Sequence, residues 1–245
     1  MTLNEKDFTS TLTRVFDENS LSSLLSREAC RRFFLLTEHM LRENEKYNLT
    51  AITDPEKVIL NHYADCASLC AELPRGGRII DVGCGAGFPT LPVAILRPDL
   101  QIFALDSTAK RTSYVAGAAE LLGLESVKTL TMRAEDGSRE PELRESFDIA
   151  TARAVAELRV LAELCLPYVK VGGKMIAMKG KNAEFELASA KRAIATLGGK
   201  KTTVRTVNLS HGEEVLTHPL ICIEKAAKTS DKYPRPFAQI SKKPL

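Results

Sequence analysis

Three closely spaced glycines follow an acidic residue in segment 78–89, and their spacing suits the binding of a nucleotide. Asp81 lies in a short apolar strand pattern, Gly83, Gly85 and Gly87 come next, and an apolar helix pattern follows. Glycine tolerates a positive φ and lets a ligand approach the backbone closely. The helix after such a turn directs its first N–H groups toward whatever lies over the turn. The segment therefore predicts a nucleotide-type site, and a tight strand–helix turn without a ligand is the alternative.

The glycine spacing also distinguishes between kinds of nucleotide. A dinucleotide-binding turn has the pattern G-x-G-x-x-G, which would require a glycine at position 88, where this chain has Phe88. The spacing therefore disfavours a dehydrogenase. The pattern Asp-x-Gly-x-Gly-x-Gly resembles the first motif of the class I S-adenosylmethionine-dependent methyltransferases. Their ligand has an amino-acid end and no pyrophosphate.

Further polar residues stand at the ends of the next predicted strands. Asp106 ends the strand predicted over 101–106, at the distance past a glycine turn where an acid meets a ribose diol. A carboxylate can accept hydrogen bonds from both hydroxyls, and a role as helix N-cap is compatible with this. Ala134 and Glu135 follow the third strand and are expected at the adenine end of the cofactor, and Arg153 follows the fourth. Ligands of open α/β sheets bind beyond the carboxyl ends of the strands, so these residues are predicted to share one rim.

The elements around these residues predict an α/β protein. Five strands alternate with helices between residues 78 and 197, and two more strands are predicted over 202–209 and 220–225. This order predicts the class I methyltransferase fold, which is Rossmann-like: a seven-stranded, mostly parallel sheet with an antiparallel end strand. Residues 1–47 have a helical pattern, and Thr53 or Asp54 can cap a further helix that has Pro55 in its first turn. We therefore expect an N-terminal helical extension over 1–54 and a methyltransferase domain over 55–245 with a basic tail.

Composition and charge narrow the class of protein further. No run of 18 apolar residues occurs and the first residues lack a signal-peptide core, which predicts a cytoplasmic protein without a membrane segment. The six cysteines form no Cys-x-x-Cys pair, so neither zinc nor a disulfide framework is predicted. Residues 170–245 carry 15 Lys and Arg against 6 Asp and Glu, although the whole chain has a net charge of only +3. This asymmetry favours a polyanionic partner, and an ordinary solvated surface would show the same count.

Several local sequences together resemble one family, RsmG, also called glucose-inhibited division protein B. The matching segments are Tyr47-Asn48-Leu49-Thr50-Ala51-Ile52, His62 with Asp65, the Asp81–Pro89 glycine segment, Asp106-Ser107 with Lys110-Arg111, Arg153-Ala154-Val155-Ala156, Lys179-Gly180, Tyr233-Pro234-Arg235 and Pro244-Leu245. The resemblance runs from residue 47 to the C-terminus. Cys84 stands where the family often has Ser or Thr, and Thr90 where it usually has Gly.

The resemblance implies a bacterial enzyme that methylates N7 of a guanine in 16S ribosomal RNA with S-adenosylmethionine as cofactor. The cofactor contacts it implies are Gly83, Phe88, Ala134, Glu135 and Arg153, with Asp106 toward the ribose. The expected partner is 16S rRNA in the small ribosomal subunit or an assembly intermediate, and a monomer is expected. The basic third suggests phosphate contacts by Lys179, Lys181, Arg235, Lys242 and Lys243.

The expected chemistry needs no general base. Guanine N7 has a free lone pair, so its methylation removes no proton. Positioning and desolvation would then supply most of the acceleration, and Arg153 is expected to orient the cofactor or the guanine O6 edge. Glu135 and Asp136 are the acids expected to hold its guanidinium.

Other functions are distinguishable from the sequence. The place after the fourth strand holds Ala152-Arg153-Ala154, not the Asn/Asp-Pro-Pro-aromatic motif of exocyclic-amine methyltransferases. Cys165 precedes Leu166 and Pro167 in a predicted helix, unlike the nucleophile of C5 methyltransferases, which typically follows a proline. A small-molecule methyltransferase stays open as the second enzyme hypothesis. A noncatalytic RNA-binding protein would be expected to have lost its cofactor-site residues, which are intact here.

Overall fold

The structure is a computed structural model that describes residues 3–245. The first two residues of the predicted N-terminal helical stretch lie outside this range. The described helices are α1 (Glu5–Glu18), α2 (Arg27–Tyr47), α3 (Pro55–Val58), α4 (Asp65–Ala67), α5 (Thr90–Leu96), α6 (Ala109–Leu121), α7 (Ala134–Gly137), α8 (Leu158–Cys165), α9 (Ala183–Thr196) and α10 (Phe237–Lys242). A π-helical turn, Ile59–Ala64, joins α3 to α4, and a 3-10 helix, Ser68–Glu72, continues the same helical segment.

A single seven-stranded sheet runs through the molecule. Its strands are β1 (Arg78–Val82), β2 (Gln101–Asp106), β3 (Val127–Thr131), β4 (Phe147–Arg153), β5 (Val169–Met178), β6 (Gly199–His211) and β7 (Glu214–Lys225). They lie in the order β3-β2-β1-β4-β5-β7-β6. The first five strands pair in parallel, and β7 pairs antiparallel with both β5 and β6. The predicted α/β fold is confirmed, with the antiparallel strand last in the chain but second from the edge.

Side-chain caps define the helix starts in the N-terminal region. Asn4 caps α1 and Ser26 caps α2 through side-chain oxygens that accept backbone N–H groups. The predicted cap at Asp54 is confirmed, since its carboxylate accepts from Lys57 N and Pro55 occupies the first turn. Helix α2 is followed by its C-cap residue Asn48, which has a φ of 49° in the left-handed region. That turn directs the next residues, 49–54, toward the carboxyl end of the sheet.

The two faces of the sheet bury two separate apolar clusters. Side chains alternate across the strands, so Ile79 packs on one face of β1 and Ile80 on the other. The first face is covered by α1, α2, segment 55–72, α5 and α6, and the second by α8, α9 and the C-terminal segment. Phe16 and Phe33 from the N-terminal helices belong to the same cluster as Ile79. The boundary at residue 54 stays a prediction, and the helices before it share their core with the sheet.

Candidate cofactor and base-binding site

The glycine loop after β1 is held against the end of β2. Leu105 O accepts hydrogen bonds from Gly83 N and Cys84 N at 2.7 and 2.9 Å, and an Asp106 carboxylate oxygen accepts from Gly85 N at 3.1 Å. Gly83 has a φ of +78°, and a Cβ there would lie 2.7 Å from a Val155 methyl group. The loop therefore requires glycine at position 83 for its backbone and for the space beside it.

Asp106 and Glu135, the acidic residues at the end of β2 and after β3, differ in the number of hydrogen bonds that their carboxylates accept. Asp106 is buried, and its second oxygen accepts from Thr108 N at 2.9 Å. Arg111 lies 3.4 Å from the first oxygen. The Glu135 side chain is also buried, and among residues 3–245 nothing donates a hydrogen bond to its carboxylate. Because Glu135 lines a cavity with a carboxylate that accepts from no described residue, whereas both Asp106 oxygens already accept, Glu135 is the acid better placed to accept from a ligand.

Three cavities open at the carboxyl edge of the sheet and share Ala154. The Gly85 cavity, of about 290 Å³, includes Tyr47, His62, Gly83, Gly85, Phe88 and Arg153 in its lining. The Glu135 cavity, of about 250 Å³, includes Gly83, Asp106, Arg133, Ala134, Glu135 and Phe237. The His218 cavity, of about 310 Å³, includes Ile52, Asn61, Asp65, Arg153, Gly180 and His218.

The six residues predicted to contact the cofactor line the first two of these cavities. Those cavities are contiguous, since both are bounded by Gly83, Arg111 and Ala154. The Ala134 carbonyl accepts from the Tyr168 hydroxyl at 2.8 Å, so this oxygen already has a partner. The structure thus brings the predicted contacts together, and their role toward a cofactor stays a prediction.

Arg153 has a different acidic partner from the one expected. Its Nη1 lies 2.6 Å from Asp65 Oδ2, and it donates to Asn61 O at 3.3 Å. The expectation that Glu135 or Asp136 would hold this guanidinium is wrong. The π-helical turn and α4 cross the end of β4 and present Asn61, His62 and Asp65 to it, which strand order alone did not indicate. π-helical turns in helices often occur at functional sites.

His62 completes the support of Arg153 as a neutral ring. His62 Nδ1 lies 2.9 Å from Arg153 Nη2 and 3.1 Å from Asn61 O. Because a guanidinium only donates and Asn61 O already accepts from Arg153 Nη1, we assign Nδ1 as the acceptor of the Arg153 hydrogen bond. The proton then lies on Nε2, 3.0 Å from the Thr50 hydroxyl. Burial, followed by the positive charge of Arg153, lowers the pKa of His62 to about 4, which favours this neutral form. The ring also stacks on Phe88, with centroids 4.3 Å apart.

Asp81 lies beneath the glycine loop and lines none of the three cavities. One of its oxygens accepts from the Thr90 hydroxyl at 2.6 Å, so the residue that departs from the usual family Gly supports this acid. The other oxygen has no partner among residues 3–245. Burial raises the pKa of Asp81 to about 6, and the Thr90 hydrogen bond opposes that shift.

The residues predicted to contact phosphates fall into two groups. Lys179 is paired with Glu186 at 2.7 Å and donates to Ala156 O, and Arg235 is paired with the buried Glu163 at 2.6 Å. These two cations are engaged in intramolecular contacts. Lys181, Lys242 and Lys243 are exposed, and their side chains form no ion pair with any described residue.

His218 carries no signal in the local sequence. It lies on β7, and its Nε2 is 2.7 Å from Asp65 Oδ1, although neither atom forms a hydrogen bond with a described residue. The pairing of β7 with β5 puts this ring at the rim, and no local motif surrounds it. Only the register of the C-terminal hairpin could have indicated its position.

Metal clusters and membrane-spanning helices are both absent from the part of the chain that the structure describes. Within residues 3–245, no three His, Cys, Asp or Glu side chains are grouped so that they could hold a metal ion. None of the helices in that range combines the length and the apolar character that crossing a bilayer would require.

The sheet order, with β7 inserted antiparallel between β5 and β6, and the glycine loop after β1 define the fold of a class I S-adenosylmethionine-dependent methyltransferase. Solved structures agree on the fold. A SAM-dependent O-methyltransferase of Thermotoga maritima is similar with a TM-score of 0.51 and 16% identity, covering 78% of this chain and 73% of that one. M. jannaschii TYW2 in complex with AdoMet is similar with a TM-score of 0.51 and 15% identity, covering 65% of this chain and 73% of that one.

The family is established by sequence comparison. The family model GidB, described as rRNA small subunit methyltransferase G, matches residues 29–215. A Ribosomal RNA small subunit methyltransferase G of Clostridium perfringens is 47% identical, over 86% of this chain and 89% of that protein. One from Lactobacillus delbrueckii subsp. bulgaricus is 40% identical, over 99% of this chain and the whole of that protein. The chain belongs to the rRNA small subunit methyltransferase G family.

Proposed function

We propose that this protein transfers a methyl group from S-adenosylmethionine to N7 of a specific guanine in bacterial 16S ribosomal RNA. The observation that carries the proposal is the arrangement at the rim. The six expected cofactor residues line two contiguous cavities, the Gly85 cavity and the Glu135 cavity. The His218 cavity adjoins the Gly85 cavity, with which it shares His62, Arg153 and Ala154. A cofactor and a base could therefore lie side by side around Arg153.

The side chains that line the Gly85 and Glu135 cavities are chemically suited to bind S-adenosylmethionine. The Glu135 carboxylate has no hydrogen-bond donor among residues 3–245. It lines the same cavity as Asp106, and carboxylates of this kind can accept hydrogen bonds from the two hydroxyls of a ribose. A side chain at position 83 would collide with Val155, so the loop keeps this shape only with glycine. We assign Glu135 and Asp106 to the adenosine and the Gly83–Phe88 loop to the amino-acid end. Bound there, S-adenosylmethionine supplies an electrophilic methyl group on a sulfonium.

The protein's own contribution is orientation and exclusion of water. Arg153 is fixed by Asp65 and His62, so its remaining donors have a defined direction. The neutral His62 ring packs on Phe88 and closes one side of the Gly85 cavity. Because N7 attacks through a lone pair that carries no proton, none of these residues transfers a proton. Proximity in a desolvated site is the main source of acceleration.

The RNA is expected to contact exposed cations. We assign phosphate contacts to Lys181, Lys242 and Lys243, whose side chains have no ion-pair partner among residues 3–245. Lys179 and Arg235 stay candidates that would first have to release Glu186 or Glu163. We further propose that a monomer acts in the cytoplasm, on the small subunit or an assembly intermediate, with residues 1–54 as an extension of the methyltransferase domain.

The test uses ribosomal RNA from bacteria that lack this protein. Naked 16S rRNA and isolated small subunits are incubated with the purified protein and methyl-labelled S-adenosylmethionine, and 7-methylguanine is mapped by chemical cleavage. Incorporation at one guanine is expected. Gly83→Val is the negative control, since its Cβ would lie 2.7 Å from a Val155 methyl group and the φ of +78° disfavours a branched residue. Incorporation at another atom, or into a small molecule only, would refute the proposed function.

A further inference from the structure

The His218 cavity has the position and size of a binding site for a single base. Its volume of about 310 Å³ is at the lower end of the range for small-ligand pockets, roughly 300–1,000 Å³. It adjoins the Gly85 cavity through His62, Arg153 and Ala154. A base held in it would therefore lie next to the expected amino-acid end of the cofactor, on the opposite side from the Glu135 cavity.

The polar groups of the cavity are buried and incompletely paired. Asp65 is 7% and His218 is 8% exposed, and both line the cavity. The close Asp65 Oδ1 and His218 Nε2 atoms are not hydrogen-bonded to each other or to any other described residue. Arg153 uses Nη1 and Nη2 for Asp65, Asn61 and His62, and its Nε donates to none of residues 3–245. Buried polar atoms without partners are uncommon, and here two of them, Asp65 Oδ1 and His218 Nε2, lie beside one cavity together with the half-buried Nε of Arg153.

The neighbouring guanidinium and carboxylate match one base better than another. Arg153 is a fixed donor, and Asp65 beside it is an acceptor, with 2.6 Å between the two groups. On guanine, the acceptor O6 is adjacent to the donor N1–H, and N7 lies on the other side of O6. Adenine has the opposite order, with a donor N6 amino group beside an acceptor N1. A base bound with O6 at Arg153 and N1–H at Asp65 would direct N7 away from the carboxylate, toward the Gly85 cavity.

We propose that the His218 cavity is the pocket for the flipped target guanine, in which Arg153 contacts O6, Asp65 accepts from N1–H, and His218 closes the pocket from β7. This inference rests on the proposed function, because it assigns a pocket within that site. His218 and Asp65 thereby become specificity residues, and His62 is a positioning residue that acts through Arg153. Flipping a base out of its stack is the usual way in which enzymes reach a base atom.

The first experiment fills the pocket without changing its polar groups. Gly180 lines the cavity and is exposed, and a Cβ added to it would have no neighbouring atom within 4 Å. Gly180→Phe should therefore fold normally and occupy the space of the base. Gly117→Phe is the matched control, because Gly117 is exposed on α6, also has nothing within 4 Å, and lines none of the three cavities.

The expected result is a separation of cofactor binding from methyl transfer. Gly180→Phe should keep its S-adenosylmethionine affinity within about twofold by calorimetry and lose at least about a hundredfold in single-turnover methylation of 16S rRNA. Gly117→Phe should keep both. Full methylation by Gly180→Phe would refute the assignment of the His218 cavity as the guanine pocket. Loss of S-adenosylmethionine affinity in Gly180→Phe would show that the cavity binds the cofactor, and this result would also refute the guanine-pocket assignment. A wild-type protein that methylates no rRNA would instead refute the proposed function.

The second experiment changes the base. The mapped guanosine is replaced by inosine, which keeps O6 and N1–H, or by 2-aminopurine, which lacks both. Methylation of the inosine RNA should stay within about tenfold of normal, and that of the 2-aminopurine RNA should fall by at least about a hundredfold. Asp65→Asn should reduce this discrimination, since an amide can both donate and accept. Equal methylation of the two RNAs by the wild-type protein would overturn the assignment.

Discussion

Replacing Arg153 by lysine tests whether the enzyme depends on an oriented guanidinium or only on a positive charge. Arg153 contacts Asp65 at 2.6 Å, His62 at 2.9 Å and Asn61 at 3.3 Å. A lysine ammonium can keep the charge pair with Asp65, but it cannot form the planar fork that reaches two partners and a substrate at the same time. The substitution therefore removes direction and leaves the charge.

The size of the effect follows from the contact that is lost. If lysine loses one hydrogen bond from a charged donor to the reacting base or the cofactor, the transition state is destabilised by roughly 1.5–3 kcal/mol. At about 1.4 kcal/mol for each factor of ten, the rate of methyl transfer should fall by about 10- to 100-fold. Stability should change little, because the buried carboxylate of Asp65 keeps a cation beside it.

The assay is single-turnover methyl transfer at saturating cofactor, with calorimetry for cofactor affinity and urea unfolding for stability. Arg159→Lys is the matched control, because Arg159 forms a partly exposed pair with Glu157 at 3.0 Å. The profile of rate against pH should also lack a general-base step between about pH 6 and 9, since N7 needs no deprotonation. An Arg153→Lys variant with nearly the wild-type rate, or a base step in that range, would show the reasoning to be wrong.

Three further predictions address groups outside the reaction. Arg235→Ala should destabilise the fold by about 3–5 kcal/mol in urea unfolding, because it leaves the fully buried Glu163 without its cation; unchanged stability would favour a free phosphate contact instead. For Asp81, whose pKa is raised to about 6, wild-type stability should fall as pH rises from about 4 through 6. Its difference from Asp81→Asn should grow by about 3 kcal/mol in parallel unfolding curves, and a constant difference would contradict this. Removing Lys242 and Lys243 should reduce the slope of log affinity for RNA against log salt by about 2, with cofactor affinity unchanged; an unaltered slope would make them ordinary surface lysines.

The rim was predictable where the chemistry follows directly from a strand. Asp106, Glu135 and Arg153 stand at or just after the ends of β2, β3 and β4, and parallel strands bring such positions to one edge. The partner of Arg153 was not predictable in this way. It depends on how the helical segment 55–72 crosses the sheet, and that crossing is set by packing of the first apolar cluster rather than by strand order.

The C-terminal hairpin shows a second limit of the sequence pattern. The sequence pattern predicted a strand over 220–225, whereas β7 starts at Glu214 and includes Pro219. The β7 residues before Leu220 extend past the end of β5 and pair with β6 alone, so a residue without an N–H is tolerated there. Charge counts have a similar limit. They include Lys179 and Arg235 as basic residues and do not reveal the Glu186 and Glu163 that pair with them.

The strained backbone of Ala154 links the thermal stability of this enzyme to its activity. Ala154 has a φ of +56°, a conformation that costs a residue with a Cβ on the order of 1 kcal/mol, and all three cavities meet at it. Glycine at this position would relieve that strain, so a screen for heat resistance alone should favour Ala154→Gly. The same change would free the backbone between the cavities proposed for the cofactor and the base, and the proposed reaction requires these two ligands to be held in a fixed relative position. Thermal tolerance and turnover should therefore move in opposite directions at this residue.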